Sequence, residues 1–387
     1  MSAARSPLAV YVHWPYCARI CPYCDFNVVR DRGQIEQAAL AQAIVEDLRG
    51  QAALTGPRRL VSIFFGGGTP SLMDPQWVAA IVQAARGLWP ADAPVEITLE
   101  ANPTDAEAQR FSALAAAGVD RLSLGMQALD DVALRFLGRN HGADEARRAA
   151  ALAGRIFPRL SLDLIYALPG QTPAAWAEAL AAAIDLGPEH LSPYQLTIES
   201  GTAFHRAVQR KTLVPPDDDT GAALYETTQT VLSDHGFDAY EVSNHARGPA
   251  ARSRHNLAYW LGEDYVGAGP GAHGRLTLAG GLIATWAEPK VADYIRKVAE
   301  TGTGFATREP LSARDRALER LLMGLRIEAG VGWDDVAPLG LTPGCPAVAD
   351  FAAQDLVRLS ERGLAVTASG RPLLDRLIAA LAEAGEA

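Results

Sequence analysis

Short apolar runs rich in β-branched residues alternate along the first half of the chain with longer stretches whose apolar residues recur at helical spacing. Runs of the first kind are typical of strands buried in a parallel sheet, and the stretches between them are typical of crossover helices. We therefore predict six βα units and an α/β fold with a parallel sheet. The predicted strands are 8–14, 60–65, 95–100, 120–126, 160–168 and 191–198.

Helices are predicted between these strands, and two of them have clear start signals. Thr104 is followed three residues later by Glu107, the pattern of a capping box. Thr172 precedes Pro173, which suits an N-cap followed by proline at the first helical position. The predicted helices are 35–54, 77–88, 106–117, 144–157 and 173–186.

The pattern changes after about residue 205, where "RKTLVPPDDDTG" is rich in Pro and Asp. Beyond it we predict a helix over 221–235 and a strand-like run in "GFDAYEVSNHA". Residues 253–274 are aromatic and Gly-rich without a clear period, so we expect an ordered loop there. From about residue 306 the pattern indicates amphipathic helices and a short hairpin. The sequence thus predicts three parts, at 1–205, 206–305 and 306–387, the last of them small, helical and winged-helix-like.

Composition and charge exclude several classes of protein. Hydrophobic residues make up 49% and charged residues 21% of the chain, which is ordinary for a globular protein. The formal net charge of −10, with no long basic run, argues against a nucleic-acid partner. Near the N-terminus, His13 and Pro15 interrupt a short apolar run before it reaches the length of a signal peptide or a membrane span. We therefore expect no transmembrane segment and a cytoplasmic location.

Three of the four cysteines lie close together in "CARICPYCDF", as Cys17, Cys21 and Cys24. In a reducing compartment such a cluster binds metal or does redox chemistry more often than it forms disulfides. The spacing leaves two alternatives open: a zinc site completed by a fourth ligand, or a [4Fe–4S] cluster with one iron left open. Aromatic residues around the loop favour the cluster because an apolar shell excludes solvent. The fourth thiol, Cys345, is interpreted as a bystander in a Pro/Gly turn.

The carboxyl ends of parallel strands are where barrel proteins place their chemistry. This rule selects the cysteine loop after the first strand, Gly66–Thr69 after the second, Glu100 and Asn102 after the third, and Gln127 after the fourth. Polar side chains at otherwise apolar strand ends need a partner, which a ligand with ammonium, carboxylate and hydroxyl groups would supply.

Two segments carry a resemblance to a known family. "YVHWPYCARICPYCDF" resembles the cluster loop of the radical S-adenosylmethionine (SAM) superfamily, and "IFFGGGTPS" resembles its glycine-rich strand end. The resemblance implies a partial (βα)6 barrel, a [4Fe–4S] cluster on Cys17, Cys21 and Cys24, and SAM on the open iron. Glu100 and Asp163 would then suit the ammonium or ribose hydroxyls of SAM, and Arg139 its carboxylate. The SAM contacts implied by the resemblance are Tyr11, Tyr23, Gly67, Gly68, Thr69, Glu100, Gln127, Arg139 and Asp163.

Within that superfamily the chain resembles the oxygen-independent coproporphyrinogen III oxidase group from end to end, and most of all its HemW-type heme chaperones. The oxidases carry a further cysteine two positions after the third cluster cysteine, where this chain has Phe26. "HNLAY" resembles the HNxxY motif through which the chaperones are thought to bind heme. In a helix, His255 and Tyr259 would share one face, so the imidazole could ligate iron. Arg252 and Arg254 would pair with the propionates, and His273 is a weaker candidate.

Three hypotheses follow. The leading one is a heme chaperone that binds heme, the cluster and SAM and delivers heme to apoproteins, respiratory ones among them. The alternative is an oxidative decarboxylase of porphyrin biosynthesis that generates a radical from SAM. A methyltransferase is the third, although nothing in the sequence indicates a methyl acceptor. Whether the protein is an enzyme therefore stays open at this point, and a homodimer is among the assemblies left open.

Overall fold

The six predicted strands form a continuous parallel sheet. In the computed structural model, which describes residues 5–31 and 33–384, they run Pro7–Trp14, Arg59–Gly67, Glu96–Ala101, Arg121–Gln127, Arg159–Tyr166 and His190–Gln195. Each strand pairs in parallel with the next one along the chain. The predicted partial (βα)6 barrel is thus confirmed, and the strand ends differ from the prediction by at most three residues.

The extension continues the sheet at both edges. Asp264–Ala268 pairs in parallel with the first strand, on the side away from the second. Beyond it lie three antiparallel strands, which are His273–Leu278, Gly281–Ala287 and Phe305–Pro310. At the other edge, the predicted strand in "GFDAYEVSNHA" is reduced to two short pairings, Asp238–Ala239 and His245–Ala246.

The prediction of a loop over 253–274 was wrong. Arg254–Trp260 is a helix, with the side chain of Ser253 accepting a hydrogen bond from the N–H of Asn256. The following strand, Asp264–Ala268, is short and contains glycine, so it has little local strand signal. Its partner is Leu8–Val12 at the other end of the chain. The strand is therefore specified by tertiary pairing rather than by local sequence.

Helices cover the outside of the sheet, where their apolar faces pack on it. Both predicted N-caps are confirmed: Thr104 accepts from Glu107 N and Thr172 accepts from Ala175 N, each at 3.2 Å. The helix predicted over 106–117 is broken in two. The helices are Gln34–Thr55, Pro75–Leu88, Asp105–Ala108, Phe111–Ala116, Asp131–Phe136, Ala143–Ile156, Pro173–Ile184, Ala203–Gln209, Asp218–Asp234, Arg254–Trp260, Val291–Thr301, Ala313–Gly324, Trp333–Val336, Pro346–Ala353 and Leu374–Ala384.

The inner face of the barrel is polar. Side chains on one face of a strand repeat every second residue, so Glu96 and Arg121 share the face that presents Glu100 and Ser123 further along their strands. Both Glu96 and Arg121 are buried. The helix Arg254–Trp260 closes the end of the barrel at which the strands begin, and the opposite end is left for the cysteine loop.

The C-terminal part has a hydrophobic core of its own. An antiparallel sheet of Val331–Gly332, Gly363–Val366 and Val357–Leu359 packs with the helices that flank it, in line with the predicted winged-helix-like domain. No helix in the described part of the chain is long and apolar enough to cross a bilayer.

Candidate cofactor-binding site

The clustered cysteines lie on a loop at the carboxyl end of the first strand. Tyr16–Cys17 pairs in parallel with Val29–Arg30, which closes the base of the loop. The side-chain amide of Asn27 donates to the carbonyl oxygens of Pro270 and Pro289, both at 2.8 Å. The loop is therefore tied to the barrel and to its extension.

The three thiols of this loop differ in their burial and in their hydrogen-bond partners. Cys17 is buried, and Cys21 and Cys24 are half-buried. Thr69 Oγ1 donates to Cys17 Sγ at 3.6 Å, and Arg139 Nη1 donates to Cys21 Sγ at 3.4 Å. Burial raises the pKa of Cys17 and raises the pKa of Cys24 to about 11. These thiols therefore need a nearby positive charge to ionise, and bound iron would supply it.

The placement of the thiols bears on the two metal alternatives. In residues 5–31 and 33–384, no group of three or more His, Cys, Asp or Glu side chains is arranged to hold a single metal ion. A structural zinc site needs four ligand atoms at about 2.0–2.3 Å from one ion. An iron–sulfur cluster is larger and takes one thiolate on each of three irons. Three cysteines on one loop supply one thiolate for each of three irons, which is the ligand number of such a cluster.

The glycine-rich end of the second strand passes directly beneath the cysteine loop. Gly68 N donates to Trp14 O at 2.7 Å, and Gly67 N donates to Glu100 Oε2 at 3.2 Å. Gly67 has φ +104°, a conformation that favours glycine. A Cβ at Gly68 would lie 2.6 Å from Tyr16 O. Glycine is needed here because the two backbones approach so closely.

Two carboxyl groups face each other across the inner face of the barrel. Burial, reinforced by the nearby charge of Asp163, raises the pKa of Glu100 to about 8. Burial also raises the pKa of Asp163, although Ser123 Oγ donates to its carboxylate at 3.0 Å. A cationic ligand beside them would lower both pKa values, which is the property expected of a site for the ammonium group of SAM.

Arg139 and Gln127 complete this side of the site. Arg139 Nη2 donates to Gly125 O at 3.0 Å and also to Asn102 Oδ1, while its Nε is buried without a hydrogen-bond partner. Gln127 has φ +63°. Positive φ at a non-glycine residue is strained and is often found where a ligand binds. Both features mark this strand end as a site built for a ligand.

These residues line one cavity of about 1080 Å³. Tyr11 does not line it, and its hydroxyl donates to His13 Nδ1 at 3.0 Å. All the other residues predicted for SAM, and all three cluster cysteines, are brought together there. They are Cys17, Cys21, Cys24, Tyr23, Gly67, Gly68, Thr69, Glu100, Gln127, Arg139 and Asp163.

His255 and Tyr259 lie elsewhere, on the helix that closes the opposite end of the barrel. They share one helix face as predicted, with His255 Nε2 and Tyr259 Oη 2.7 Å apart. His255 Nδ1 lies 2.9 Å from Ser62 Oγ, and Phe64 stacks on the ring at 4.9 Å. Both ring nitrogens therefore have partners inside the protein, and neither residue lines the cavity.

The two arginines predicted for heme propionates are also engaged. Arg254 Nη1 donates to Pro94 O at 2.6 Å, and Arg252 lies 3.7 Å from Glu328. His273 is exposed and stacks on Trp286 at 5.8 Å. Arg252 and Arg254 lie at the closing helix, whereas His273 begins the strand His273–Leu278, three residues after Pro270, to which the cysteine loop is hydrogen-bonded.

Some cavity residues were not predicted as site residues. Ser123 comes from within the fourth strand and Tyr194 from near the end of the sixth, and Arg326, Arg371 and Arg376 come from the C-terminal part. The alternation along the strands could have indicated Ser123 and Tyr194. The three arginines have no local motif, since only the docking of the C-terminal part brings them to the cavity.

Comparison with known proteins agrees with this geometry. Residues 11–183 match the radical SAM superfamily, and residues 311–373 match the HemN C-terminal domain. The heme chaperone HemW of Bacillus subtilis is 35% identical over 94% of this chain and 96% of its own length. HemW of Escherichia coli is 41% identical over 72% of each chain. The chain belongs to the HemW-type family of radical SAM proteins.

Relatives and solved structures extend this assignment. The bovine radical S-adenosyl methionine domain-containing protein 1, mitochondrial, is 40% identical over 96% of this chain and 87% of its own length. The solved coproporphyrinogen III oxidase (HemN) of Escherichia coli superimposes with a TM-score of 0.79 at 23% identity, over 97% of this chain and 90% of that chain. This likeness shows the fold. Membership of the radical SAM family implies a [4Fe–4S] cluster and SAM, and the donor set of the cavity fits both.

Proposed function

We propose that the protein binds heme as cargo and delivers it to apo-heme proteins, with a [4Fe–4S] cluster and SAM held in the cavity by the residues described above. The observation that carries this proposal is the similarity, at 35% identity along nearly the whole chain, to a protein named heme chaperone HemW. Respiratory proteins as recipients, a cytoplasmic location and a homodimer belong to the same proposal. SAM bound to the open iron would supply reductive radical chemistry, or would regulate heme transfer.

Phe26 supports the chaperone over the oxidase. It stands where the oxidases resembling this chain have a further cysteine, and it is 60% exposed at the cavity wall. An apolar ring there provides no thiol for a second redox or radical step. The Phe26 ring instead adds apolar surface to the cavity wall.

The chemistry of His255 supports its role as the iron ligand. Burial lowers the pKa of His255 to about 3, so the ring is neutral at physiological pH. Neutral imidazole is the form that ligates iron. Ligation through Nε2 would require the hydroxyl of Tyr259 to leave this nitrogen. Because His255 has only 1% exposure, it would also require the helix Arg254–Trp260 to move away from the barrel end. Heme binding is then coupled to a local opening, and the amides of this helix exchange faster in the heme-bound protein.

An anaerobic heme titration of the cluster-reconstituted protein tests the proposal. The Soret band is followed in the wild type, in His255→Ala, in Tyr259→Phe and in the control His235→Ala, which removes an exposed histidine. We expect saturable binding that weakens at least tenfold in His255→Ala, because the iron ligand is lost, and that is unchanged in His235→Ala.

Equal affinity in the wild type and His255→Ala would remove His255 as the ligand. Absence of saturable binding in all four proteins would reject the chaperone function. The next assay would then be anaerobic conversion of coproporphyrinogen III, the reaction of the oxidase alternative.

A further inference from the structure

The helix Arg254–Trp260 is bonded at its two ends to different parts of the protein. At its start, the carboxylate of Glu96 in the barrel accepts from the N–H groups of the first two helical residues, each at 3.1 Å. At its end, Arg320 Nη1 of the C-terminal part donates to the main-chain oxygen of Trp260 at 3.0 Å. Movement of the helix away from the barrel end therefore requires contacts with both parts to break.

Arg320 caps the end of this helix from a neighbouring part of the chain. The last carbonyl groups of a helix have no donor within the helix, so they need a partner from elsewhere. The side chain of Arg320 is 12% exposed, and its Nε also donates to Asp335 Oδ2 at 3.4 Å. A Cβ at Gly262 would lie 2.7 Å from Arg320 Cδ. The side chain is thus packed on the turn that follows the helix.

Two further contacts join the C-terminal part to the same helix. The guanidinium of Arg326 lies over the ring of Trp260, 5.0 Å from the ring centroid. Glu328 Oε2 lies 3.7 Å from Nη2 of Arg252, which comes two residues before the helix. These side chains and Arg320 belong to one short segment, 320–328. The contact with the helix is therefore made by a single continuous piece of the C-terminal part.

The contact is not fully hydrogen-bonded. Three buried nitrogen atoms at this contact have no hydrogen-bond partner among the described residues, and they are Trp260 Nε1, Arg252 Nε and Arg326 Nε. A buried donor without a partner is unfavourable, and water would satisfy it once the two surfaces separate. The contact thus holds the helix in a defined place while favouring separation more than a fully bonded contact would.

We infer that the segment 320–328 is a latch that keeps the helix Arg254–Trp260 on the barrel end, and that heme reaches His255 after this latch has separated from the helix. The inference rests on the proposed function, because it names what controls access to the iron ligand. A ligand that binds only an open form has its affinity lowered by the small fraction of open molecules. Weakening the latch should therefore strengthen heme binding.

Arg320→Met tests the latch in the cluster-reconstituted full chain. Methionine keeps an unbranched apolar side chain but removes the donors to Trp260 and Asp335. Arg320 does not line the cofactor cavity, whereas Arg326 does, so this variant leaves the cavity lining in place. Arg316→Met is the matched control, because Arg316 is an exposed arginine of the same helix.

Two properties are measured anaerobically. The first is hydrogen exchange of the amides over 254–260 without heme, and the second is the affinity for heme from the Soret band. A hydrogen bond from a charged donor contributes about tenfold to an equilibrium constant. We therefore expect exchange over 254–260 to be about tenfold faster, and heme binding about tenfold tighter, in Arg320→Met. Arg316→Met should match the wild type in both properties.

Two controls separate a released latch from general loss of structure. Exchange over the helix Gln34–Thr55 should stay unchanged in Arg320→Met, since this helix packs in the barrel core. The double variant Arg320→Met/His255→Ala should lose the gain in heme affinity, because the released helix then offers no iron ligand.

Glu328→Gln keeps the inference testable if Arg320→Met does not fold. The side chain of Glu328 is 64% exposed, and substitutions of exposed side chains rarely disturb a fold. Loss of its pairing with Arg252 should speed exchange over 254–260 about twofold, the size expected for an exposed ion pair.

Wild-type exchange over 254–260 in both Arg320→Met and Glu328→Gln would overturn the inference. So would faster exchange with unchanged or weaker heme binding, an outcome that leaves the proposed function standing when the wild type binds heme through His255. A wild type that binds no heme, or that binds it as tightly as His255→Ala does, would reject the latch together with the role of His255 on which it rests.

Discussion

Glu96 holds the helix that carries His255, and its substitution is a direct test of the closed barrel end. Its carboxylate accepts from Arg159 Nη1 at 2.5 Å and from the main-chain N–H groups of Arg254 and His255, each at 3.1 Å. The side chain is buried, with 2% exposure. Glu96→Gln keeps the shape of the side chain but removes its charge and turns one acceptor into a donor.

The expected loss in the free energy of unfolding comes from Arg159, whose charge loses one of its carboxylate partners. Removing one partner of a buried ion pair destabilises a protein by about 3–5 kcal/mol, because the other charge stays without compensation. Arg159 keeps Glu189 as a second partner, at 2.6 Å. We therefore expect a loss near the lower end of that range, about 3 kcal/mol in the free energy of unfolding.

The effect has a defined pH dependence. Burial opposes the charge of Glu96, but Arg121, Arg159 and the two main-chain N–H groups outweigh it and lower its pKa below the ordinary 4.5. Such a group stabilises the fold above its unfolded-state pKa and loses this contribution as the pH falls through the folded-state pKa. The difference between wild type and Glu96→Gln should be constant near neutral pH and shrink below about pH 4.5.

Urea unfolding followed by circular dichroism measures the difference, and hydrogen exchange of the amides over 254–260 reports whether the helix is released. Glu189→Gln is the matched control. Its carboxylate is 30% exposed and pairs with the same arginine, so a change within about 1 kcal/mol is expected. A Glu96→Gln protein whose stability and whose exchange over 254–260 match the wild type would refute the role of this carboxylate.

Three further predictions concern the cavity. Cys21→Ala should lose the broad visible absorbance of the reconstituted cluster while Cys345→Ala keeps it, and full iron content in Cys21→Ala would contradict the ligand assignment. Gly68→Ala places a methyl group against rigid backbone and should lower the free energy of unfolding by about 1–3 kcal/mol. The control Gly87→Ala, which has open space at that position, should leave the free energy of unfolding unchanged or raise it. Equal melting temperatures for the two variants would count against the close approach of the backbones at Gly68. The folded-state pKa of Glu100, about 8, lies above the ordinary 4.5, so Glu100 destabilises the ligand-free protein increasingly as the pH rises between these values. Glu100→Gln should therefore gain stability over wild type from about pH 5 to about pH 8. A pH-independent difference in urea unfolding would disprove the raised pKa.

Local sequence was sufficient to predict the barrel and the cofactor end of the site. The strands are continuous apolar runs, and their carboxyl ends meet at one edge of a parallel sheet. Polar residues placed there, such as Glu100 and Gln127, are therefore brought to one cavity. Thr104 and Thr172 were predicted as caps because an N-cap needs only residues within one helical turn.

Tertiary structure decided the features that depend on distant partners. The strand Asp264–Ala268 exists because the first strand has an unpaired edge, and the helix Arg254–Trp260 takes its place because Glu96, far away in sequence, accepts its N–H groups. That placement puts His255 inside the barrel end, where its nitrogens are already bonded, which the HNxxY pattern alone did not indicate. Arg326 and Arg371 reach the cavity only through the docking of the C-terminal domain. The sequence by itself thus determined the barrel and its strand-end residues, because periodicity and capping are local. Only the folded chain decided what closes each end of the barrel, because burial and ion pairing join residues that are hundreds of positions apart.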